Sequence, residues 1–256
     1  MKAVRIKVVR RALHEDLATA YGGREIRPCE VMHDGQEFLT SFGKPEGFCD
    51  WAWNDISRGV FALLTGGSFD QGVFQGWMKD RATLLSCCTD GFRPVSFLLE
   101  RIDTLSLLDL AGASRPAPRE VYGTERWGEC RYDLGGLAPG ARCLVRLHFA
   151  EIYFSRPGRR AFDVEVNGER VITGLDVLAA AGGAHRAVVR EVETAADAAG
   201  AVAIRFMKGA ADEPKISGIE LFANGSAEPR HAINCGGPAV EGFAADGTFT
   251  GGTASG

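Results

Sequence analysis

Two adjacent aromatic residues, Tyr153 and Phe154, are the first candidates for contact with a ligand. They close the segment LHFAEIYF at residues 147–154, and the turn-forming pair Pro157 and Gly158 follows soon after. Aromatic side chains at the end of a buried strand are held still by the strand, while their ring faces remain available to a ligand. We therefore expect binding by aromatic stacking at this position.

The segment before these aromatic residues has the pattern of a β-strand. Apolar and polar side chains alternate between residues 141 and 149, and this period of two is typical of a half-buried strand. One face carries Cys143, Val145, Leu147 and Phe149, and the other carries Arg142, Leu144, Arg146 and His148. The alternation predicts a strand that buries its first face.

Five segments in the second half of the chain resemble a known family. They are TERWG at 124–128, LHFAEIYF at 147–154, RAFDVEVNG at 160–168, AAAGGAHRAVV at 179–189 and PKISGIEL at 214–221. In this order and near this spacing they resemble the malectin-type carbohydrate-binding domain. The resemblance implies an all-β sandwich of the jelly-roll type, in which loops at one end hold a sugar of disaccharide size.

The same resemblance implies which residues hold the sugar. Flat aromatic faces cover the apolar C–H face of a pyranose, and carboxylates accept hydrogen bonds from its hydroxyl groups. Trp127, Tyr153 and Phe154 supply the aromatic faces, and Asp212 supplies the carboxylate. Trp127 stands where animal malectins have tyrosine, which widens the stacking surface and removes a hydroxyl. A glucose-containing di- or oligosaccharide is the expected partner.

The resemblance implies binding without catalysis. Asp163 and Asp176 could be read as the acid and the nucleophile of a glycosidase. Asp163 lies within a predicted strand and Asp176 follows the turn at 167–168, so neither is assigned a catalytic role. The neighbouring polar residues, which are equally suited to structural hydrogen bonds, are Glu125, Arg126, His148 and Glu151.

The end of the chain contains segments that the family places at its beginning. INCGGP at 233–238 and D-x-x-F-T-G-G at 246–252 precede the TER segment in the family but follow it here. The chain is either circularly permuted or begins a second repeat, and permutation is favoured because a missing strand would expose a sheet edge. We expect residues 231–252 to supply that strand and Asp246 or Phe249 to line the sugar pocket.

The first part of the chain predicts a small α+β domain with about four strands and two helices. KPEGFCDWAW at 44–53, WMKD at 77–80 and CCTDGFRPVSF at 87–97 resemble a small bacterial family of unknown function. A run rich in alanine, glycine and proline follows and is typical of a linker. We therefore predict two domains, at 1–103 and 119–256, joined by a linker at 104–118.

The cysteines of the first part raise an alternative function. Cys29, Cys49, Cys87 and Cys88 lack the C-x2-C pairing of known zinc sites, so we expect no metal, no cofactor and reduced thiols. The alternative is a cytosolic enzyme or a metal or redox protein that uses these cysteines. In that case the malectin-like half would serve as a scaffold or targeting module.

Charge and hydropathy exclude some classes of partner. The formal charge of −4 and the pI near 5.8 leave no basic surplus for nucleic acid. The first residues lack the apolar core of about 7 to 15 residues that a signal peptide needs, and no run approaches the roughly 20 residues of a membrane span. The expected location is the cytoplasm, without membrane insertion.

Overall fold

The computed structural model describes residues 2–255 and divides the chain into two compact units. The first is Met1–Ser106 and the second is Leu107–Gly256. A short 3-10 helix, Thr104–Leu107, lies where the chain passes from one unit to the other. Across residues 2–255, no helix combines the length and the apolar character needed to cross a bilayer.

The first unit is a four-stranded antiparallel sheet with two α-helices. Its strands are β1 (Lys2–Arg11), β2 (Glu37–Thr40), β3 (Thr83–Cys87) and β4 (Val95–Asp103), and its helices are α1 (Glu15–Tyr21) and α2 (Asp50–Leu64). The strand order is β2-β1-β4-β3. Helix α2 buries Ala52, Ile56, Val60 and Leu63, whose spacing of three and four residues forms one helical face. A 3-10 turn, Gly72–Phe74, precedes β3.

Two local expectations in the first unit are wrong. The pair Gly22 and Gly23 after α1 predicts a left-handed cap, but Gly22 has a φ of −72°. Glycine is needed there for space, because a Cβ would lie 2.4 Å from the carbonyl oxygen of Ala18. The apolar spacing predicts a buried helix over residues 55–64, but helix α2 begins at Asp50, which places Trp51 in its first turn.

The second unit is a sandwich of two sheets. Its strands are β5 (Glu125–Leu134), β6 (Arg142–Ala150), β7 (Ala161–Val166), β8 (Glu169–Leu175), β9 (Ala187–Ala195), β10 (Val202–Ala211), β11 (Lys215–Ile216), β12 (Gly218–Ala223), β13 (His231–Asn234), β14 (Ala244–Ala245) and β15 (Phe249–Ser255). One sheet has the order β11-β5-β10-β7-β8, with β15 also paired to β5, and the other has the order β14-β13-β12-β6-β9. A short helix, α3 (Val177–Ala181), and a 3-10 helix, Arg119–Gly123, complete the unit.

The core lies between the two sheets. The predicted inward face of β6 is buried, with Val145, Leu147 and Phe149 all at 0% exposure. Its second face is also covered, since Arg146 is 7% exposed and His148 is 0% exposed. The 3-10 helix Arg119–Gly123 covers His148 through Tyr122, and the alternation within β6 does not predict this contact.

The segment 107–118 packs on the second unit rather than running free. The amide of Asp109 donates to the carbonyl oxygen of His185 at 2.8 Å, and the amide of Ala187 donates to that of Asp109 at 2.9 Å. Leu108 and Ala117 are buried. This part of the predicted linker is therefore an ordered extension of the sandwich.

The end of the chain is built into the sandwich on both sheets. Strand β13 is antiparallel to β12, with Gly218 opposite Asn234, and β15 is antiparallel to β5, with Ser255 opposite Glu125. Gly236 follows β13 with a φ of 74°, and a Cβ there would lie 2.0 Å from the carbonyl oxygen of Glu125. Only glycine allows this close approach to β5.

Candidate functional site

A cavity of about 340 Å³ opens at one end of the sandwich, and aromatic and charged side chains line it. Its walls are Glu125, Trp127, Tyr153, Arg160, Asp212 and Ser255. They come from β5, from the loop after β6, from the turn between β10 and β11 and from the end of β15. The rigid ends of several strands therefore meet at one small opening.

Two of the predicted aromatic residues present their side chains at this cavity. Trp127 is 40% exposed and Tyr153 is 71% exposed, which is high for large apolar side chains. Trp127 is held by β5, whose backbone pairs with β11 on one side and β15 on the other. Exposed rings on such a fixed frame are suited to stacking against a ligand.

Glu151 fixes the loop that carries Tyr153. Its Oε1 atom accepts hydrogen bonds from the amides of Tyr153 and Phe154 at 3.0 and 3.1 Å. Its Oε2 atom accepts from Nε of Arg160 at 2.9 Å. The carboxylate is 1% exposed, so these bonds form in a dry environment where they orient the loop strongly.

Phe154 occupies a different position from its neighbour. Its ring meets that of Tyr153 edge to face, with centroids 4.9 Å apart. The guanidinium groups of Arg159 and Arg160 lie over the ring at 5.5 and 5.1 Å from its centroid. Phe154 is thus engaged by two cations, and it does not line the cavity as Tyr153 does.

A buried ionic layer lies beneath the cavity. Glu125 forms an ion pair with Lys215, whose side chain is 0% exposed, and Glu151 forms one with Arg160. Burial by itself raises the pKa of Glu151, but Lys215, Arg160 and the two amides outweigh it and hold this pKa below its ordinary value. The lowered pKa favours the charged form of the Glu151 carboxylate beneath the aromatic wall.

Asp212 reaches the cavity from a strained turn. Its φ is 51°, a left-handed conformation that is uncommon for a residue with a side chain. Its carboxylate is 40% exposed, and the nearest cationic atom, Nη1 of Arg160, lies 3.6 Å from Oδ2. That distance exceeds a hydrogen bond, so the oxygens of Asp212 keep their capacity to accept bonds from a ligand.

The structure does not bring Asp246 and Phe249 into this cavity. Asp246 is 3% exposed and accepts hydrogen bonds from Nε of Arg126 at 2.7 Å and from the hydroxyl of Tyr132 at 3.2 Å. Phe249 lies beneath the guanidinium of Arg126, 3.1 Å from its ring centroid. Both residues instead anchor the end of the chain to β5, and Ser255 is the tail residue that lines the cavity.

Arg160, Lys215 and Ser255 belong to the site or to its support, and the sequence does not predict this for any of them. Arg160 and Lys215 do lie in the motifs RAFDVEVNG and PKISGIEL, which was the available signal. Nothing in the local pattern marks Ser255, because its position depends on the pairing of β15 with β5. The sequence left binding and structural roles equally open for Arg126, His148 and Glu151, and in the structure they bond to Asp246, Tyr122 and Arg160.

Metal ligation and disulfides give no competing site. Across residues 2–255, no group of three or more histidine, cysteine, aspartate or glutamate side chains is arranged to hold a metal. The seven cysteines are free thiols. Burial raises the pKa of Cys130 to about 12, so this thiol stays protonated.

A second, more open depression of about 1230 Å³ lies on the sheet that contains β6 and β12. Arg142, Arg146, Glu220 and Phe222 are among its walls. The guanidinium of Arg146 covers the ring of Phe222 at 4.7 Å and pairs with Glu220 at 2.9 Å. Its aromatic face is therefore already occupied, unlike those of Trp127 and Tyr153.

One comparison with known families locates its match within the second unit. Residues 108–219 match the family model described as "Malectin domain". Malectin-A of Xenopus laevis is 33% identical over 125 residues, which are 43% of this chain and 44% of that protein. Human malectin is 32% identical over 126 residues, covering 43% of this chain and 42% of that protein. The chain spans less than half the length of these relatives.

One further relative and two solved structures also match part of the chain. Kinesin-like protein KIN-14E of Oryza sativa subsp. japonica is 37% identical over 107 residues, 39% of this chain and 10% of that protein. The ANX2 ectodomain of Arabidopsis thaliana has a TM-score of 0.43 at 16% identity, covering 47% of this chain and 38% of that one. A β-glucuronidase of Bacteroides uniformis has a TM-score of 0.35 at 24% identity, covering 40% of this chain and 12% of that one.

Proposed function

From the match of residues 108–219 to the malectin-domain model, we propose that the second unit binds carbohydrate without catalysis. The proposed ligand is a glucose-containing di- or oligosaccharide held in the cavity at Trp127, Tyr153 and Asp212. The observation that carries the proposal is the cavity itself. It combines two exposed aromatic faces with a carboxylate that has free acceptor capacity.

The aromatic pair supplies the attraction and the carboxylate supplies the orientation. Trp127 and Tyr153 would cover the C–H face of a pyranose, and Asp212 would accept hydrogen bonds from its hydroxyl groups. A cavity of about 340 Å³ has room for about one or two sugar rings. Because such a shallow site leaves little free energy above the cost of association, we expect a dissociation constant on the order of micromolar to millimolar.

The carboxylates near the cavity support binding rather than hydrolysis. Glu151 uses both oxygens in structural bonds, and Glu125 is paired with Lys215. Asp163 accepts from the amide of Gly174 at 2.7 Å, and Asp176 caps α3 by accepting from the amide of Ala179 at 3.0 Å. Each of these groups already has a structural task, so none is free to act as the acid or base of a glycosidase.

We propose further that this unit is a permuted form of the family's sandwich. The last family segment forms β12, and β13 lies antiparallel beside it, so residues 224–230 suffice to join the two. Thr124 of the TER segment donates to Oδ1 of Asn234 in the INCGGP segment at 2.7 Å. Two motifs that are 110 residues apart in this chain are therefore in direct contact.

The proposal is tested by a glycan array followed by titration calorimetry with the best neutral oligosaccharide. Trp127→Ala and Tyr153→Ala should each reduce binding below detection while leaving the far-UV circular dichroism and the melting temperature near those of the parent. Trp77→Ala is the matched control, because Trp77 is a 69% exposed tryptophan in the first unit. Binding that persists in both site variants would show that the site is assigned wrongly.

A further inference from the structure

We propose that the cavity selects sugars by charge, taking amino sugars in preference to neutral sugars and rejecting uronic acids. This inference rests on the proposed function and names the class of ligand at the same site. It depends on which polar groups face the cavity and which of them are already committed to protein partners.

The cationic groups near the cavity are committed. Arg160 is 5% exposed; its Nε donates to Glu151 at 2.9 Å and its Nη1 also donates to the carbonyl oxygen of Glu213. Lys215 is 0% exposed, lies behind Glu125 as its ion-pair partner, and is not part of the cavity wall. Neither cation is therefore available to pair with an anionic sugar.

Three carboxylates lie near these two cations, so one negative charge is left without a cation of its own. Glu151 pairs with Arg160, and Glu125 pairs with Lys215, so each of these pairs is neutral. Asp212 remains, and its contact with Arg160 at 3.6 Å is with a cation that Glu151 already neutralises. Beside it, Lys208 and Glu213 form another neutral pair. The net charge that a ligand meets at the wall is negative and is centred on Asp212.

The conformation of Asp212 supports a role in ligand contact. Its left-handed backbone at a φ of 51° costs free energy that a structural turn could avoid with glycine. This backbone conformation places the Asp212 carboxylate at the mouth of the cavity, where it is 40% exposed. An ammonium group on the sugar would meet a partly desolvated acceptor there, whereas a sugar carboxylate would meet repulsion.

Two other arginines of the loop after Tyr153, Arg156 and Arg159, are not among the wall residues of the cavity. Arg159 lies over the ring of Phe154, 5.5 Å from its centroid, and neither residue lines the cavity. Partly exposed charge pairs change affinity by a few-fold each. Attraction of the amine and repulsion of the carboxylate together should therefore separate glucosamine from glucuronate by roughly tenfold in affinity.

The test compares three monosaccharides, because a monosaccharide contains no glycosidic linkage and the preferred linkage is not known. Glucosamine, glucose and glucuronate are titrated into the full chain at a pH of about 6, where the amine and the acid are both ionised. The indole N–H signal of Trp127, assigned through its loss in Trp127→Phe, reports binding by NMR. We expect glucosamine to bind most tightly, glucose less tightly and glucuronate least tightly. The differences in affinity should become smaller in about 0.5 M salt, which screens the charges.

Two variants isolate the carboxylate. Asp212→Asn should collapse the spread between glucosamine and glucuronate to about twofold or less. Asp133→Asn removes the same charge from an exposed position on β5, about 20 Å along the strand from Trp127, and should leave the spread unchanged. The control separates a local effect of Asp212 from an effect of net charge.

The outcomes distinguish this inference from the proposed function. If glucose binds but the three sugars bind equally, or glucuronate binds most tightly, the charge selection is overturned while carbohydrate binding stands. The same conclusion follows if the spread survives in Asp212→Asn. If none of the three sugars shifts the Trp127 signal and an array of neutral oligosaccharides is also blank, the proposed function fails and takes this inference with it.

Discussion

Glu151 and His185 show how buried residues hold the exposed ones at the site. Glu151 joins the Tyr153 loop to Arg160, and its carbonyl oxygen accepts from the amide of His185 at 2.8 Å. His185 has a left-handed backbone with a φ of 56°, and its Nδ1 atom has no hydrogen-bond partner among residues 2–255. The ring is therefore poorly placed to accept a proton.

The first prediction concerns the pH dependence that His185 imposes. Burial and the charge of Lys215 lower the pKa of His185 below its ordinary value of 6.5, against the opposing effect of Glu151. Below about pH 6.5 the unfolded chain binds a proton at this residue and the folded chain does not. The free energy of unfolding therefore decreases as the pH is lowered, until the pH passes below the folded pKa of His185. His185→Asn, which tolerates the same backbone, should flatten this slope in thermal melts.

The effect of His185 on stability occurs in a different pH range from the effect of Glu151. The lowered pKa of Glu151 means that its contribution to stability is present above its ordinary value of 4.5 and is lost as the pH falls through its folded pKa. That loss occurs at lower pH than the onset of the His185 effect. Equal slopes for the parent and His185→Asn between pH values of about 6.5 and 5 would contradict the assignment.

The aromatic residues of the site follow from sequence, but their ionic support does not. Tyr153 and Phe154 are marked by their place at a strand end, yet only the packing shows that Phe154 is occupied by Arg159 and Arg160. Lys215 precedes an apolar residue at the start of β11 and carries no sequence sign of being fully buried. Its burial depends on Glu125, which lies on another strand and 90 residues earlier in the chain.

At the scale of elements, the 3-10 helix Arg119–Gly123 completes the outer face of β6. The hydroxyl of Tyr122 lies 2.8 Å from Nδ1 of His148, and Nε2 of the same ring lies 2.9 Å from Oε2 of Glu220. The amide of Ala117 also donates to the Tyr122 hydroxyl at 3.2 Å. The His148 tautomer with its proton on Nε2 satisfies every one of these bonds.

The second prediction tests this buried chain of hydrogen bonds. Tyr122→Phe keeps the ring but leaves Nδ1 of His148 and the amide of Ala117 buried without a partner. Because each unsatisfied buried polar group costs about 1 to 3 kcal/mol, we expect the free energy of unfolding to drop by about 2 kcal/mol or more. Urea unfolding followed by circular dichroism measures the change.

A matched tyrosine provides the control for this prediction. Tyr21 is 77% exposed in α1, so Tyr21→Phe should change stability by less than about 0.5 kcal/mol. A Tyr122→Phe protein as stable as the parent would mean that the hydroxyl is dispensable and that another element covers β6. Burial also raises the pKa of Tyr122 to about 12, so the expected difference is the same from neutral to mildly alkaline pH.

The bounds of a strand could be predicted from sequence where apolar and polar side chains alternate regularly along it. The alternation predicts a strand over residues 141–149, and the structure has β6 at Arg142–Ala150, one residue later at each end. The start of α2 at Asp50 is difficult to predict, because Trp51 and Trp53, two residues apart, would share one face of an extended segment. Trp51 instead donates its Nε1 proton to the hydroxyl of Thr89 at 2.8 Å, a contact across 38 positions.

At the scale of the whole molecule, the position of the tail decides how the sandwich is closed. The resemblance predicts from the motif order that residues 231–252 are displaced relative to the family, but the order alone does not say whether they return to the same sheet. The structure places β13 beside β12 and β15 beside β5, and it uses Asp246 to tie them to Arg126 and Tyr132. Asp246, which the sequence predicts at the sugar pocket, is 3% exposed in this anchoring arrangement.

The last prediction is that the tail is part of the domain and not the start of a second one. Removing residues 224–256 takes away β13, β14 and β15, bares the edges of β12 and β5, and leaves the buried guanidinium of Arg126 without Asp246. Breaking one buried ion pair alone costs about 3 to 5 kcal/mol, a large share of the stability of a typical domain. The shortened protein should therefore aggregate or melt far below the parent in thermal scans.

A rearranged chain keeps this prediction specific to permutation. Moving residues 231–256 to a position before residue 107, with a short flexible link, restores the order of motifs in the family while keeping every strand. If the unit is permuted, this rearranged protein should recover the melting temperature of the parent, because the same strands pair in the same places. A deletion that melts like the parent would instead identify the tail as a dispensable repeat fragment, and permutation would then be excluded.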